Sequence, residues 1–132
     1  ALLGRRVFER SACISCHTAI EADTLRAPSL KGIGKAQKPD YLVESLLHPS
    51  RIIKTGFETE VVTTLDGKVY TGLVKDDGKQ LRIITPDSEI ALDKSKIDER
   101  QVQKKSLMPE NQEQALSLQE LHDLLAYLMS LR

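Results

Sequence analysis

The sequence predicts a mainly α-helical core interrupted by an inserted antiparallel β-meander or small barrel, α+β overall. Three observations predict it. Apolar residues recur at helical spacing near both ends of the chain. Between residues 57 and 106, short β-prone runs alternate with Asp-Gly and Pro-Asp turn signals. A Cys-x-x-Cys-His motif, Cys13-Ile14-Ser15-Cys16-His17, follows directly on the first helical stretch.

Residues 2 to 12 read as an amphipathic helix with Leu3, Val7 and Phe8 on its apolar side. Gly4 lies four residues before Phe8, on the same face. A glycine inside a helix costs about 1 kcal/mol relative to alanine. Its use there predicts a close approach to the backbone. Residues 18 to 39 read as mostly irregular, and Ala27 to Gly34 as a loop from its proline and glycines. Asp40 is placed to cap a short helix from Tyr41 to His48, with Pro39 before it and Pro49 ending it. Leu42 and Leu46 would face the core.

The pattern then changes. Candidate strands run over 58–65, 68–75, 80–85, 89–92 and 97–104, punctuated by Asp66-Gly67, Asp77-Gly78 and Pro86-Asp87-Ser88. Gly72, inside a strand, marks a bulge or a close approach. A block spliced into a loop must begin and end in one place, so Phe57 and Ser106 are expected close together. After it, Ser117-Leu118-Gln119-Glu120 spells a capping box. Leu118, Leu121, Leu124, Leu125 and Leu128 form an apolar stripe beyond it. The expected division is 1–56 with 107–132 for the helical part and 57–106 for the insertion.

Nineteen basic residues balance nineteen acidic ones, so global charge points to neither nucleic acid nor an anionic membrane. The first 57 residues carry nine Lys/Arg against five Asp/Glu, with Lys31, Lys35 and Lys38 just after the motif. No stretch approaches the 18 or more apolar residues of a membrane helix. Neither a signal peptide nor an initiator Met is present, which is the pattern of a processed protein or an excised domain.

Cys-x-x-Cys-His is the pattern of covalent c-type haem attachment. Cys13 and Cys16 would form thioethers to the two vinyl groups, and His17 would supply the proximal imidazole. That imidazole needs an acceptor on its other nitrogen, and the carbonyl of Pro28 is the candidate. A thioredoxin-type redox pair expects a βαβ neighbourhood, and none is visible. A zinc site needs four ligands. The chain offers Cys13, Cys16, His17, His48 and His122, with no second tight pair.

Gly4 and Phe8 before Cys-Ile-Ser-Cys-His, then Ala27-Pro28-Ser29-Leu30, then Leu124 and Tyr127 together resemble the class I c-type cytochromes. The resemblance implies the mainly α cytochrome c fold, with first and last helices crossing at Gly4. It implies that Pro28, the proline of the family's G-P-x-L stretch that ends at Leu30, lends its carbonyl to the proximal histidine, with Ala27 standing where the family has Gly. Met108-Pro109 matches the pair that supplies the distal ligand. Pro49 to Gly56 looks like the run that precedes that pair, so the β-rich block falls between the two. The whole chain is similar to C-terminal haem-binding domains of planctomycete and verrucomicrobial proteins described as membrane-bound dehydrogenases. That implies a periplasmic module with a redox protein partner or a fused dehydrogenase domain.

The expected cofactor is one covalent haem c, held by Cys13, Cys16, His17, Pro28, Leu30, Arg51 and Met108, with His17 and Met108 on the iron. Arg51 suits a haem propionate. Met129, His48 and His122 are the rival distal ligands. Tyr41, Phe57 and Tyr70 would wall the pocket or pack in the insertion. The expected function is one-electron transfer through a low-spin haem, by a chain that is not itself an enzyme. A haem enzyme or a gas-binding sensor with an open distal site is the alternative. A third is an interaction module that docks a dehydrogenase through the insertion.

Overall fold

A computed structural model describes residues 2–11, 13–17 and 22–132. The expectations of helix at residue 12 and of irregular chain over residues 18 to 21 therefore lie outside the described residues. The chain divides into two compact units, Ala1–Ile52 with Met108–Arg132, and Ile53–Leu107. The sequence reading put these boundaries at 56/57 and 106/107.

The first unit is helical: α1 (Leu2–Arg10), α2 (Cys13–Cys16), α3 (Ile33–Ala36), α4 (Pro39–Leu47) and α5 (Leu118–Ser130), with a 3₁₀ turn at Gln112–Ala115. Its core is Val7, Phe8, Leu42, Leu46, Leu124 and Leu128. These apolar side chains lie at helical spacing on α1, α4 and α5, and burying them supplies most of the drive to pack. The capping box closes as its sequence requires. Glu120 N donates to Ser117 Oγ at 3.1 Å, and Ser117 N donates to Glu120 Oε1 at 2.9 Å. Glu120 also pairs with Arg10, tying the start of α5 to the end of α1.

The crossing of α1 and α5 is set by Gly4. A Cβ there would lie 1.9 Å from the Asp123 carbonyl oxygen and 2.6 Å from Tyr127 Cβ. Gly34 does the same for α3. Its Cβ would fall 2.1 Å from Met129 O, and its N–H donates to Leu131 O at 2.8 Å. The expectation of a loop over residues 27–34 therefore fails at its end, where Ile33–Ala36 makes a helical turn after Gly32 at φ 69°. Only a close-packed neighbour makes that short turn worth forming. Asp40 is not the cap of α4 either. Lys38 is, with no side-chain bond, and Pro39 sits in the first turn beside Asp40. Proline's fixed φ and missing N–H suit that turn, and the Asp40 carboxylate suits the helix dipole.

The second unit is one five-stranded antiparallel sheet: β1 (Glu58–Thr64), β2 (Val69–Asp76), β3 (Gln80–Ile84), β4 (Glu89–Asp93) and β5 (Ile97–Ser106), ordered β4-β3-β2-β1-β5. The first four strands make the expected meander. β5 instead returns, after a 3₁₀ turn at Lys94–Lys96, to pair with β1 at the opposite edge. The sheet must therefore curl, yet among the described residues no β4–β5 pairing closes it into a barrel. Val62, Leu73, Leu81, Ile83 and Ile84 are its buried side chains. Gly72 stands where β2 passes from pairing with β1 to pairing with β3. A Cβ there would lie 2.5 Å from Ile84 O, so the close approach is the correct half of its sequence reading. Glu58 and Ser106 are register partners, so the chain enters and leaves the sheet at one place.

The mainly α expectation is overturned. Helix accounts for 37 % of the structure beside a five-stranded antiparallel sheet, so the protein is a small α+β protein and not a mainly α cytochrome c fold. The sheet is a compact unit in its own right, with buried side chains from its own strands. Among the described residues, no helix is long and apolar enough to cross a membrane.

Gly4 supplies a test of the helix crossing. In an open helix, Gly→Ala stabilises by about 1 kcal/mol. Here the new methyl must displace the Asp123 backbone, and overpacking of that kind costs roughly 1–3 kcal/mol. Gly4→Ala should lower the denaturation midpoint of the chain. A variant as stable as the parent, or more so, would mean that α1 and α5 do not cross at this residue.

Candidate functional site

The motif begins where α1 stops. Ser11 N donates to Val7 O at 3.1 Å, carrying the helical turn one residue past Arg10. Cys13–Cys16 then forms one helical turn, and His17 N closes onto Cys13 O at 2.9 Å. Residues three apart on a helix share a face, so Cys13 and Cys16 share one, with His17 next in the chain. Both thiols are free and half-buried. Cys13 packs against the helical core, and that burial pushes its thiol pKa up. A redox-active or metal-binding thiolate is made by the opposite shift.

His17 is held on two sides. The Phe8 ring lies 6.3 Å from the His17 ring, centroid to centroid, and 5.7 Å from the Tyr127 ring. Phe8, 3 % exposed, thus links His17 to α5. On the other side His17 Nδ1 lies 3.2 Å from Pro28 O. A carbonyl can only accept, so the proton belongs on Nδ1 and Nε2 keeps a bare lone pair. Burial lowers the His17 pKa below its ordinary value, with the Pro28 bond opposing more weakly. The imidazole is therefore neutral at pH 7, the form that binds a metal.

The loop carrying Pro28 is knit by its own polar side chains. Thr24 N donates to Ala27 O at 2.8 Å, and Ala27 N donates to Thr24 Oγ1 at 3.0 Å. The Thr24 hydroxyl reaches Cys16 O at 3.0 Å. Ser29 N donates to Asp23 Oδ1 at 2.6 Å, and Lys31 N to Ser29 Oγ at 3.1 Å. Thr24 and Asp23 were missed in the sequence. The available signal was a Thr a few residues before Pro28, preceded by Asp23, the composition of a side-chain-closed turn.

Met108 belongs to this helical unit. It is half-buried against the same core as Cys13, Leu30 and Tyr41. Met129 also packs on that core, but its backbone is taken up in the contact with Gly34. His48 and His122 are both exposed, the first as the C-cap of α4 and the second on α5. Arg51, expected at a propionate, instead pairs with Glu44 at 3.3 Å on the surface. Phe57 and Tyr70 are half-buried in the second unit. Among the described residues, no three His, Cys, Asp or Glu side chains group to hold a metal ion, so the four ligands of a zinc site are not assembled within them.

Isotope-edited NMR of the haem-free chain reads this arrangement directly. The His17 ring should be the Nδ1–H tautomer at pH 7 and should titrate below the ordinary value of about 6.5. The folded chain then binds that proton less tightly than the unfolded one, so this contribution to stability is present above about pH 6.5 and lost as pH falls through the folded pKa. An Nε2–H tautomer would contradict the Pro28 contact, and a titration at or above the ordinary value would contradict the burial of the ring.

No protein-family model and no curated protein matches the chain, so its function is inferred from the chemistry of the site.

Proposed function

We propose that the chain carries one haem c and transfers single electrons through it, with His17 and Met108 on the iron. The observation that carries this reading is the Pro28 carbonyl on His17 Nδ1. It leaves Nε2 as a neutral, oriented ligand beside two free thiols on a single helical turn. A thiol pair poised for redox chemistry needs a stabilised thiolate, whereas Cys13 is shifted the other way.

The residues present fit the group. Cys13 and Cys16 would hold it covalently, with Leu30, Tyr41 and Met108, all half-buried on the helical core, available as apolar contacts. Haem c bound here supplies a reversible one-electron couple. The chain's own residues do the rest. Pro28 fixes the ring orientation and raises the basicity of His17. Phe8 keeps water from one face of the imidazole. Met108 would bring a thioether, which with the His17 imidazole makes the Met/His pair that raises the potential. The chain is then an electron-transfer protein, not an enzyme in its own right. It would serve a redox protein partner or a dehydrogenase domain in the periplasm. Such partners meet through small, weak interfaces, which suits a net charge of zero.

Met108 gives the decisive measurement. The oxidised protein should show the weak sulfur-to-iron charge-transfer band, and the reduced protein should not bind carbon monoxide. Met108→Ala should abolish the band and admit carbon monoxide. A wild-type protein that lacks the band and binds carbon monoxide would replace this reading with an open-site haem enzyme or gas sensor.

A further inference from the structure

We infer that Thr24 is a positioning residue for the ligand His17, acting through the loop that presents Pro28. The inference rests on the proposed function for its redox consequence, but its structural part concerns the chain alone.

Thr24 has one hydroxyl proton and two carbonyls in reach, Cys16 O at 3.0 Å and Ala27 O at 3.3 Å. The Thr24 N–H already serves Ala27 O at 2.8 Å. The hydroxyl proton is therefore best spent on Cys16. The same oxygen accepts from Ala27 N at 3.0 Å and from Arg26 N at 3.3 Å. One side chain thus binds the last residue of the Cys-x-x-Cys turn on one side and the residue before Pro28 on the other. Cys16 is bonded to His17, and Ala27 to Pro28. The five residues close a ring of contacts, Thr24–Cys16–His17–Pro28–Ala27–Thr24, in which the His17 Nδ1 to Pro28 O bond is one link.

Ala27 is 3 % exposed, so the loop is anchored at this residue. A ring of this size holds only if each link holds. Without the hydroxyl, the loop keeps its Asp23–Ser29 bond and its buried Ala27, but loses its tie to the motif. The Pro28 carbonyl is then free to drift from the imidazole. A weaker bond at Nδ1 makes His17 a poorer electron donor to a bound metal. The oxidised state of the iron loses more by this than the reduced state, so the reduction potential should rise.

The test compares Thr24→Val, which keeps the shape and removes the hydroxyl, with Thr24→Ser, which keeps the hydroxyl. Haem content of each purified protein is measured first. In Thr24→Val the potential should shift upward. In its haem-free form the His17 Nδ1 proton should exchange roughly tenfold faster, the factor that matches the loss of one typical hydrogen bond. Thr24→Ser should behave as wild type in both. Haem missing from the wild type would sink the proposed function. The exchange measurement on the haem-free chains would still decide the role of Thr24. If Thr24→Val folds with potential and exchange unchanged, Thr24 does not position His17. If Thr24→Ser departs from wild type as far as Thr24→Val does, the hydroxyl is not the agent and the inference is equally overturned.

Discussion

The contact between His17 Nδ1 and the Pro28 carbonyl is the constraint on which the site depends. An imidazole has two nitrogens of nearly equal basicity, and only a fixed acceptor decides which one carries the proton. Here the choice is made by backbone, which side-chain substitution cannot delete. Burial of the ring lowers its pKa more than the Pro28 bond raises it, which keeps His17 neutral. Everything nearby serves to hold the two partners in place. Phe8 backs the ring, and Tyr127 backs Phe8. Gly4 lets α5 come close enough to bring Tyr127 there. Asp23 and Thr24 stiffen the loop on the far side. The long-range packing of two helices and the local bonding of a loop thus meet at one side chain.

The sheet unit follows a separate logic. Its strands pair with each other, its buried residues Val62, Leu73, Leu81, Ile83 and Ile84 come from its own strands, and its first and last strands lie side by side. A segment with paired ends interrupts a chain without separating the residues on either side. That is how Met108 belongs to the same compact unit as Cys13. The buried hydroxyl of Thr59, donating to Lys105 O at 3.0 Å, fastens the two ends further. Gly72 is the sheet's counterpart of Gly4, a residue whose missing side chain lets another backbone approach.

Much of this was legible in the sequence where the signal is local. The capping box, the Asp-Gly turns and the leucine stripe of α5 depend on residues within a few positions of each other, and each forms the expected element. The Pro28 acceptor was legible too, because an oriented imidazole needs an acceptor on its second nitrogen and the Pro-containing loop follows close behind the motif. Contacts made across the chain were harder to read. Nothing near Gly34 announces Met129 and Leu131, so its helical turn was read as loop. The return of β5 to β1 requires a pairing across four strands, and no turn signal encodes that. Thr24 looked like any loop threonine until Cys16 stood beside it. The balance between helix and sheet is the largest departure. The strand pattern is local and legible, but no local signal tells that the strands bury side chains of their own, so the protein is α+β and not mainly α. Arg51 was assigned by the chemistry of guanidinium alone, and Glu44 on its own helical neighbourhood turned out to be its partner.

The central claim is that Cys13, Cys16 and His17 form an attachment site, and not a thiol pair or a metal-binding loop. The mass of the denatured protein, matured in a host with haem-attachment machinery, tests it most directly. The account predicts the mass of the chain plus one haem, lost when Cys13 and Cys16 are both replaced by alanine. The bare mass of the chain from that host would contradict it.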